Sequence, residues 1–382
     1  MNRELPLFPV SVVGSWPRPA WLREATRKRA PDLGSLEDEA TLLAIKHQED
    51  AGVDIVSDGE QRRDNFYSFV ADRIDGIKLM TMAELLDHVE DKAGFENLLN
   101  ALDVPAFAIS NPTIVDKLKV TRSLAMDDYQ FLRRHTDRAV KVTLPGPYLL
   151  SRSMWVKSLS AEAYPTREEL NTDIVEILHR ELVDLAAAGV DVVQFDEPVL
   201  TELTLAGKSA TRTFMCAALA ASADPAAELD LAVELINRVV DGVEGVTTAL
   251  HVCRGNWSQQ EDVLLSGAYD PLIPTLAKMR VDQFVLEYAT PRAGSLEALR
   301  GLPESARLGF GAVNPRTAEI EEPHAVAERV RTLTEILAPE RILLNPDCGF
   351  GTFADRPMAS AQVASQKLES LAGAARLLRG EA

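Results

Sequence analysis

Short runs of apolar residues, each followed by a helix-like stretch, recur along the whole chain. Within each run the apolar positions are continuous instead of alternating, which is typical of strands buried on both faces of a parallel sheet. Each run is rich in β-branched or aliphatic residues and ends in polar or glycine-containing sequence. The eight runs are residues 10–15, 53–60, 139–145, 190–197, 246–253, 283–288, 308–314 and 342–348.

Helical stretches lie between these runs. The clearest are residues 36–51, 167–188, 323–338 and 359–379. Two of them end in the same phrase, AGVD, in which Gly52 or Gly189 stands where a left-handed helix cap belongs. Alternating strands and helices, eight units in 382 residues, predict an α/β fold of the (β/α)8 TIM barrel type. A doubly wound open sheet is the alternative, but no G-x-G-x-x-G fingerprint follows any run.

Residues 66–138 separate the second and third runs by more than one helix requires. Within them, residues 112–123 alternate β-branched and polar side chains around Asp116 and Lys117, which predicts a hairpin or an extended arm. Such an insertion would cover the barrel mouth or contact another subunit. We therefore expect one catalytic barrel over residues 1–382, with an insertion after the second strand at approximately 66–138.

Composition and charge narrow the range of partners. The chain is 46% hydrophobic and 26% charged, with a net charge of −18. This excess of acid disfavours nucleic acid and anionic membranes, since both select clustered Lys and Arg. The apolar runs are far shorter than the ~20 residues that span a bilayer, and no signal-peptide pattern is present. Three cysteines make a poor disulfide framework, so we expect a reduced, cytoplasmic protein.

The fifth run ends in His251 and Cys253, two positions apart. On an extended strand such residues point to the same side, and a soft nitrogen and sulfur pair is what zinc prefers. Cys348 ends the eighth run and Glu287 the sixth, which makes both candidates for the same Zn2+ site. A lone cysteine is more often a small core residue, and we assign Cys216 to that role. The shared position of the others at strand ends, where barrels carry catalytic groups, favours a metal site.

Acidic residues end two further runs. Asp58 and Glu60 end the second run, and Asp196 and Glu197 end the fourth. These carboxylates are candidates for acid–base chemistry, for a second metal, or for holding the ammonium group of an amino acid. Capping of the next helix is the structural alternative, and we expect it for one member of each pair.

Six short sequence motifs of the chain, taken together, resemble those of a known protein family. They are VVGSWPRP, VSDGEQRRDNF, VTLPGP, FDEPVL, LHVCRGN and LNPDCGFGT, in this order. Together they resemble the catalytic C-terminal barrel of the cobalamin-independent methionine synthase family, over nearly the whole chain. The related epoxyalkane:coenzyme M transferases share the His-x-Cys…Cys pattern. The resemblance implies a zinc-dependent thiol alkyltransferase whose metal ligands map onto His251, Cys253, Glu287 and Cys348.

The resemblance also implies how the substrate is held. The amino acid group of homocysteine maps onto the Gly-Ser turn after the first strand and onto two acids, here Gly14, Ser15, Glu60 and Asp196. A thiol with a pKa near ~8.5 is mostly protonated at neutral pH, and zinc would keep it as a thiolate nucleophile. In this scheme Glu287 loosens as the substrate sulfur enters, so that Glu287, Asp196 and Glu60 are the expected catalytic residues.

Two departures from the family concern the methyl donor. We expect no counterpart of the second, N-terminal barrel that helps full-length synthases bind polyglutamated folate. The seventh run continues as GFGAVNPRT, with Asn314 and Arg316 near the place where folate-using members have a histidine. We therefore expect an unidentified donor other than folate, such as a methylated corrinoid protein or an activated small molecule.

Four candidate functions for the chain can be compared by the residues that each would need. Methyl transfer to homocysteine is favoured, because Glu60 and Asp196 suit an amino acid acceptor. Alkyl transfer to, or lyase chemistry on, another thiol such as coenzyme M would want cationic residues for the sulfonate, for which Arg18, Arg62 and Arg63 are candidates. A non-catalytic zinc-binding partner of the same fold is the third. A uroporphyrinogen decarboxylase-like protein needs no metal and leaves the two strand-end cysteines without a role.

Overall fold

Seven parallel strands form a curled sheet at the centre of the computed structural model, which describes residues 4–88, 92, 110–205, 224–260 and 264–381. With strands numbered along the chain, the order across the sheet is β1 (Ile55–Val56), β4 (Ala139–Pro145), β5 (Val192–Asp196), β6 (Thr247–Val252), β7 (Gln283–Glu287), β8 (Arg307–Val313) and β9 (Ile342–Pro346). Neighbouring strands all pair in parallel. Nearly every side chain in these strands is buried, as continuous hydrophobic runs predict.

The segment before β1 joins the two edges of this sheet. Val10 forms a parallel bridge with Leu344 of β9, and Ser11 forms one with Ile55 of β1. The Ser11 N–H donates to the Leu344 carbonyl at 2.8 Å, and the Ile55 N–H donates to the Val10 carbonyl at 3.1 Å. All eight predicted runs therefore contribute to one ring, and the predicted α/β barrel class is confirmed.

Helices lie between the strands along the chain. Within the described residues the α-helices are Ala20–Lys28, Leu33–Asp50, Met82–Leu85, Met126–His135, Pro147–Met154, Lys157–Ser160, Arg167–Ala188, Leu200–Leu205, Pro225–Val240, Ile273–Leu276, Pro323–Leu333 and Ala361–Arg379. Short 3-10 helices span Ser68–Asp72, Leu86–His88, Pro291–Ala293, Leu296–Gly301 and Pro339–Arg341. Among the described helices, none combines the length and the apolar character that crossing a membrane requires.

The helix Arg167–Ala188 shows how capping residues in the sequence determine where a helix begins and ends. The Thr166 side chain accepts a hydrogen bond from the Glu169 N–H at its start, and acidic residues occupy its first turn, where they favour the positive end of the helix dipole. Gly189 ends it with a φ of 88°, and Gly52 has a φ of 86° after the helix Leu33–Asp50. Both glycines therefore adopt the left-handed conformation that the repeated AGVD phrase predicts.

The insertion after β1 contains a two-stranded antiparallel arm. In it β2 (Ile74–Thr81) pairs with β3 (Ser110–Val120). Asp116 and Lys117 lie inside β3 and not at a hairpin turn, so the extended arm is the form that is found. The arm bulges at Gly76, where a Cβ would lie 2.4 Å from the Lys117 carbonyl oxygen. Alternation in the sequence indicated one strand of this arm, but β2 carries no such alternation and was missed.

Candidate metal centre and substrate pocket

Three of the predicted metal ligands meet at the carboxyl end of the barrel. His251 lies in β6, Cys253 follows this strand directly, and Cys348 lies two residues beyond β9. Their ligand atoms all lie within 4.8 Å of one another, with His251 and Cys253 buried and Cys348 partly buried. Zinc bonds of about 2.3 Å to sulfur and about 2.0 Å to nitrogen bring ligand atoms together at such separations. The group can therefore hold one metal ion.

The ring of His251 is oriented for this role by the neighbouring strand. Its Nδ1 atom lies 3.2 Å from the Val285 carbonyl oxygen in β7, which makes Nδ1 the donor and leaves a lone pair on Nε2. Nε2 is buried and has no hydrogen-bond partner. An unsatisfied buried polar atom is costly, and a metal ion would satisfy this one.

The two cysteines behave as a coupled pair. The hydrogen bond with Cys348, and after it the contact with His251, lowers the pKa of Cys253 to about 5. The same hydrogen bond, reinforced by burial, raises the pKa of Cys348 well above its usual value. Without a metal the pair thus shares one proton. A divalent cation between the two sulfur atoms would stabilise both thiolates, as zinc does in cysteine-rich sites.

Glu287, the predicted fourth ligand, is not part of this group. Its Oε1 atom lies 3.1 Å from Arg254 Nη1, and its Oε2 atom accepts a hydrogen bond from Asn256 Nδ2 at 2.8 Å. Arg292 Nη2 lies 3.2 Å from Oε1. Burial alone would raise the pKa of Glu287, but the Arg292 and Arg254 guanidinium groups outweigh it and hold that pKa below its usual range. The structure therefore places an ionised carboxylate among cations beside the metal group.

A cavity opens beside these ligands. Besides the three metal ligands, its lining consists of Val13, Ser15, Glu60, Phe66, Asp196, Pro198, Asn256, Trp257, Gly349, Thr352 and Phe353. The walls are mostly apolar, and two carboxylates face the same space. Such a pocket suits a small ligand that carries both an apolar part and a cationic group.

Glu60 reaches this cavity through a backbone turn with a φ of 54°, which non-glycine residues rarely adopt. Arg18 Nη2 donates to the Glu60 carbonyl oxygen at 2.6 Å and holds the turn. Thr143 Oγ1 donates to the Glu60 carboxylate at 2.9 Å. Burial raises the pKa of Glu60, and the nearby Arg63 opposes this effect. A buried carboxyl aimed into a cavity is poised to receive a cation.

Asp196 ends β5 and is the last residue of a series of hydrogen-bonded polar side chains inside the barrel. Gln194 Nε2 donates to Asp196 Oδ1 at 2.8 Å, and Lys141 Nζ donates to Gln194 Oε1 at 3.0 Å and to the Val12 carbonyl oxygen at 2.6 Å. Burial raises the pKa of Asp196 to about 7, against the opposing effect of His251. This carboxyl therefore changes charge near neutral pH, depending on what occupies the pocket.

The turn at Gly14 and Ser15 lies against the loop that carries Cys348. The Phe350 N–H donates to the Ser15 carbonyl oxygen at 2.9 Å, and the Gly351 N–H lies 3.3 Å from Ser15 Oγ. A Cβ on Gly349 would lie 2.2 Å from Ser15 Oγ, so this approach requires glycine. The segment before β1 and the loop after β9 thus place a hydroxyl group at the cavity that the candidate metal ligands line.

The other acid of each pair accepts hydrogen bonds from backbone N–H groups, and for Glu197 this is the helix cap that was expected. Glu197 accepts hydrogen bonds from the Tyr148 N–H at 2.7 Å and the Leu149 N–H at 2.9 Å, and so caps the helix Pro147–Met154. Asp58 Oδ1 accepts a hydrogen bond from the Glu60 N–H at 3.1 Å and stabilises the turn described above.

Several residues of the site were missed from the sequence. Arg254, Asn256 and Arg292 surround Glu287, and Arg316 Nε donates to Asn256 Oδ1 at 2.9 Å. The phrase RGN directly after Cys253 was a usable signal, because a charged residue at a strand end of a barrel faces the site. Cys216 lies outside the described residues. All six histidines lie within them, and of these His251 lines the cavity.

These features define an α/β barrel protein in which a histidine and two cysteines that could hold a metal ion lie beside a pocket lined by two carboxylates. The sequence model of the family described as "Cobalamin-independent synthase, Catalytic domain" matches residues 8–373. The chain therefore belongs to the cobalamin-independent methionine synthase family, which is a family of methyltransferase enzymes.

Similar proteins cover the chain from end to end. The methionine synthase of Thermococcus kodakarensis is 30% identical over 385 residues, which are 99% of this chain and 95% of that protein. The methionine synthase of Pyrococcus furiosus is 28% identical, with the same two coverages of 99% and 95%. The structure of a B12-independent methionine synthase from Shewanella sp. W3-18-1, in complex with selenomethionine, superposes with a TM-score of 0.74 at 25% identity, covering 98% of this chain and 99% of that one.

Proposed function

We propose that this protein is a zinc-dependent methyltransferase that converts homocysteine into methionine. The observation that carries the proposal is the convergence of His251, Cys253 and Cys348 at one edge of a pocket that also contains Glu60 and Asp196. Membership of the family and the names of the similar proteins support it. The selenomethionine bound to the Shewanella protein, a selenium analogue of the product proposed here, supports the same assignment.

Zinc is the ion that this donor set suits best. One imidazole nitrogen and two thiolates are soft or borderline donors, which favour zinc over magnesium or calcium. Three protein ligands also leave a position for substrate, as in catalytic zinc sites. When bound, the ion would supply one kind of chemistry: it lowers the pKa of a thiol, near ~8.5 when free, so that the sulfur is a thiolate nucleophile at neutral pH.

The side chains of the pocket would bind and orient the amino acid. Glu60 and Asp196 are buried carboxyls with raised pKa values, and the ammonium group of homocysteine would restore their charged forms. A cation held by carboxylates in a water-poor cavity makes strong, directional hydrogen bonds. The Gly14–Ser15 turn would receive the α-carboxylate end. Together these contacts point the substrate sulfur toward Cys253 and Cys348.

Methyl transfer then requires an in-line approach of the two reactants. A bond forms between the homocysteine sulfur and the methyl carbon, while the bond from that carbon to the donor breaks and its electron pair stays with the leaving group. The thiol proton would pass to solvent before this step, when the sulfur becomes a thiolate. Arg316 contacts Asn256 of the pocket lining, and His251, a candidate metal ligand, is the one histidine among the described residues that line the pocket. We therefore propose a donor whose departing group needs no protonation by histidine, such as a methylated corrinoid protein or an activated small molecule.

The whole chain would act as one catalytic barrel over residues 1–382, with the insertion at 66–138 as a part of it. The arm packs against the elements that follow β4: the Leu118 N–H donates to Tyr164 Oη at 2.9 Å, and Ser160 Oγ donates to the Ile114 carbonyl oxygen at 2.8 Å. Both partners lie in the segment between β4 and β5.

Another thiol acceptor, such as coenzyme M, is less well supported. A sulfonate group would need a cation, and none of the described residues that line the cavity is a lysine or an arginine. Arg18 and Arg63 are buried nearby, but Arg18 donates to the Glu60 carbonyl oxygen and Arg63 donates to the Thr143 carbonyl oxygen. Each guanidinium group already donates to the backbone of the site, and neither residue lines the cavity.

The experiment that tests this function measures methionine formed from homocysteine with three kinds of donor: methylfolates, methylcobalamin and a methylated corrinoid protein. Coenzyme M replaces homocysteine in a parallel series, and the Cys348→Ser variant serves as the inactive control. We expect methionine from the wild-type protein with at least one non-folate donor and none from the variant. Alkylation of coenzyme M without any methionine would contradict the proposed acceptor.

A further inference from the structure

We propose that Lys141 and Gln194 are positioning residues of the amino acid site, although neither is among the described residues that line the pocket. Together they would hold the Asp196 carboxylate and the Gly14–Ser15 turn in a fixed arrangement, so that both can bind one homocysteine molecule. They would thus act on the substrate through the groups that they contact. This inference rests on the proposed function and gives a role to two buried side chains that the substrate contacts proposed above do not use.

The first observation is that hydrogen bonds connect both side chains to the carboxylate. Lys141 Nζ donates to Gln194 Oε1 at 3.0 Å, and Gln194 Nε2 donates to Asp196 Oδ1 at 2.8 Å. Lys141 is 1% exposed and Gln194 is 0% exposed, so water does not compete for these bonds. Because the amine donates to the amide oxygen, the amide nitrogen is the end that faces Asp196. The lysine thereby fixes the orientation of the amide, and the amide fixes one carboxylate oxygen.

The second observation is that the same two side chains hold the segment leading into the Gly14–Ser15 turn. Lys141 Nζ donates to the Val12 carbonyl oxygen at 2.6 Å, and Gln194 Nε2 donates to the Val13 carbonyl oxygen at 3.0 Å. Buried backbone carbonyl groups need hydrogen-bond partners, and here side chains from β4 and β5 supply them. The turn and the carboxylate are therefore held by one pair of residues.

The donors and acceptors of these two side chains also match in number. Burial lowers the pKa of Lys141 to about 7, and an uncharged amine has two N–H donors, one for Val12 and one for Gln194. The Gln194 amide nitrogen likewise has two N–H donors, one for Val13 and one for Asp196. Neither side chain can turn to another partner without leaving a buried polar atom unsatisfied, which costs free energy. The arrangement is therefore rigid.

A contact of the same strand extends this arrangement to the other carboxylate of the pocket. Thr143 follows Lys141 by two positions in β4, so the two side chains point to the same side of the strand. Thr143 Oγ1 donates to Glu60 Oε1 at 2.9 Å. Side chains of β4 thus hold Glu60 directly and Asp196 through Gln194. A ligand that needs both carboxylates and the turn therefore depends on residues that it does not touch.

The test compares the binding of homocysteine with that of 4-mercaptobutyrate, which has the same thiol and carboxylate but lacks the ammonium group. Calorimetric titration of the zinc-loaded, full-length protein gives both dissociation constants. Gln194→Glu keeps the shape of the side chain and an acceptor for Lys141, but it removes the donor to Asp196. We expect this variant to weaken homocysteine binding about 10-fold or more relative to 4-mercaptobutyrate binding. Lys141→Met, which frees the Gln194 amide to rotate, should shift the ratio in the same direction.

A second buried lysine provides the matched control. Lys367 is 0% exposed, and its Nζ atom donates to the Glu319 carbonyl oxygen and to the Glu321 carboxylate. Lys367→Met should lower the melting temperature and leave the ratio of the two dissociation constants unchanged.

The possible failures can be told apart. If one of the two variants does not fold, the other decides the test alone. A ratio equal to that of the wild type in Gln194→Glu and in Lys141→Met overturns the inference and leaves the proposed function intact. A wild-type protein that binds both thiols with equal affinity overturns the proposed amino acid site itself.

Discussion

Gly14 and Glu60 lie so close together that a side chain at position 14 would collide with the Glu60 carboxylate. A Cβ atom on Gly14 would lie 2.2 Å from Glu60 Oε1 and 3.1 Å from Thr143 Cγ2. The missing side chain therefore creates the space that the carboxylate occupies. Because the colliding atom is the far end of a flexible side chain, a larger residue at position 14 would move the carboxylate and spare the fold.

We predict that Gly14→Ala raises the KM for homocysteine by about 10-fold or more, since a displaced charged hydrogen-bond partner is worth about 1.5–3 kcal/mol. Zinc content and melting temperature should stay close to those of the wild type. Steady-state kinetics and metal analysis on the same preparation check this. Gly34→Ala is the control, because nothing lies within 4 Å of its added Cβ. A variant with unchanged KM would show that Glu60 does not contact the substrate.

Metal content tests the ligand set. We predict about one zinc per wild-type chain and the loss of most of it in Cys348→Ser and in His251→Ala, since each change removes one of three converging donors. Cys216→Ser, which changes the one cysteine not proposed as a ligand, should retain the metal. Inductively coupled plasma mass spectrometry gives the ratio. Full occupancy in either ligand variant would mean that the ion lies elsewhere.

The pH dependence of homocysteine binding follows from Asp196. Burial raises the pKa of this carboxyl to about 7, so in the free protein it is neutral below that pH and charged above it. Because an ammonium group needs the charged form, the value of kcat/KM for homocysteine should fall as the pH drops through about 7. Asp196→Asn should lower kcat/KM by about 10-fold to 100-fold at pH 8 and remove this limb of the profile. A profile that is identical in both proteins would exclude Asp196 from substrate binding.

Lys141 makes a separate prediction about stability. Burial lowers the pKa of its ammonium group to about 7, whereas in the unfolded chain the value is near 10.4. Between about pH 7 and pH 10 the unfolded chain thus binds a proton that the folded protein lacks, and the free energy of unfolding should rise with pH. Urea unfolding at about pH 7.5 and pH 9.5 measures this rise.

Replacing Lys141 isolates the contribution of its amine to the pH dependence of the free energy of unfolding. Lys141→Met should abolish the part of the pH dependence that comes from the buried group, while Lys46→Met, on the exposed surface, should retain it. An equal rise in all three proteins would show that Lys141 remains charged in the folded state. The Val12 and Gln194 oxygens that it contacts would then be holding a cation.

Most of the barrel could be predicted from the sequence, for a physical reason. Strands buried on both faces must be apolar throughout, so the runs 139–145 and 283–288 can be recognised in the sequence. The observed strands, Ala139–Pro145 and Gln283–Glu287, differ from these predicted bounds by at most one residue. Glycine at a left-handed helix end is equally distinctive, as Gly189 shows. The strand Ile74–Thr81 could not be predicted, because only its pairing with Ser110–Val120 defines it.

The site was predictable only in part. His251 and Cys253 lie two positions apart in one extended run, so spacing alone joins them, and the strand-end rule of barrels adds Cys348. The position of Glu287 depends instead on Arg254 and Arg292, whose side chains turn inward from the loop after β6 and from the short 3-10 helix Pro291–Ala293. Charged loop residues usually face water, and no local pattern marks the few that do not.

X-ray absorption at the zinc edge, recorded with and without homocysteine, tests the central claim most directly. The zinc protein alone should show two sulfur ligands, from Cys253 and Cys348, and a nitrogen ligand from His251. Homocysteine should add one sulfur, and coenzyme M at the same concentration should not. A zinc spectrum that homocysteine leaves unchanged would contradict a metal centre built to receive this thiol.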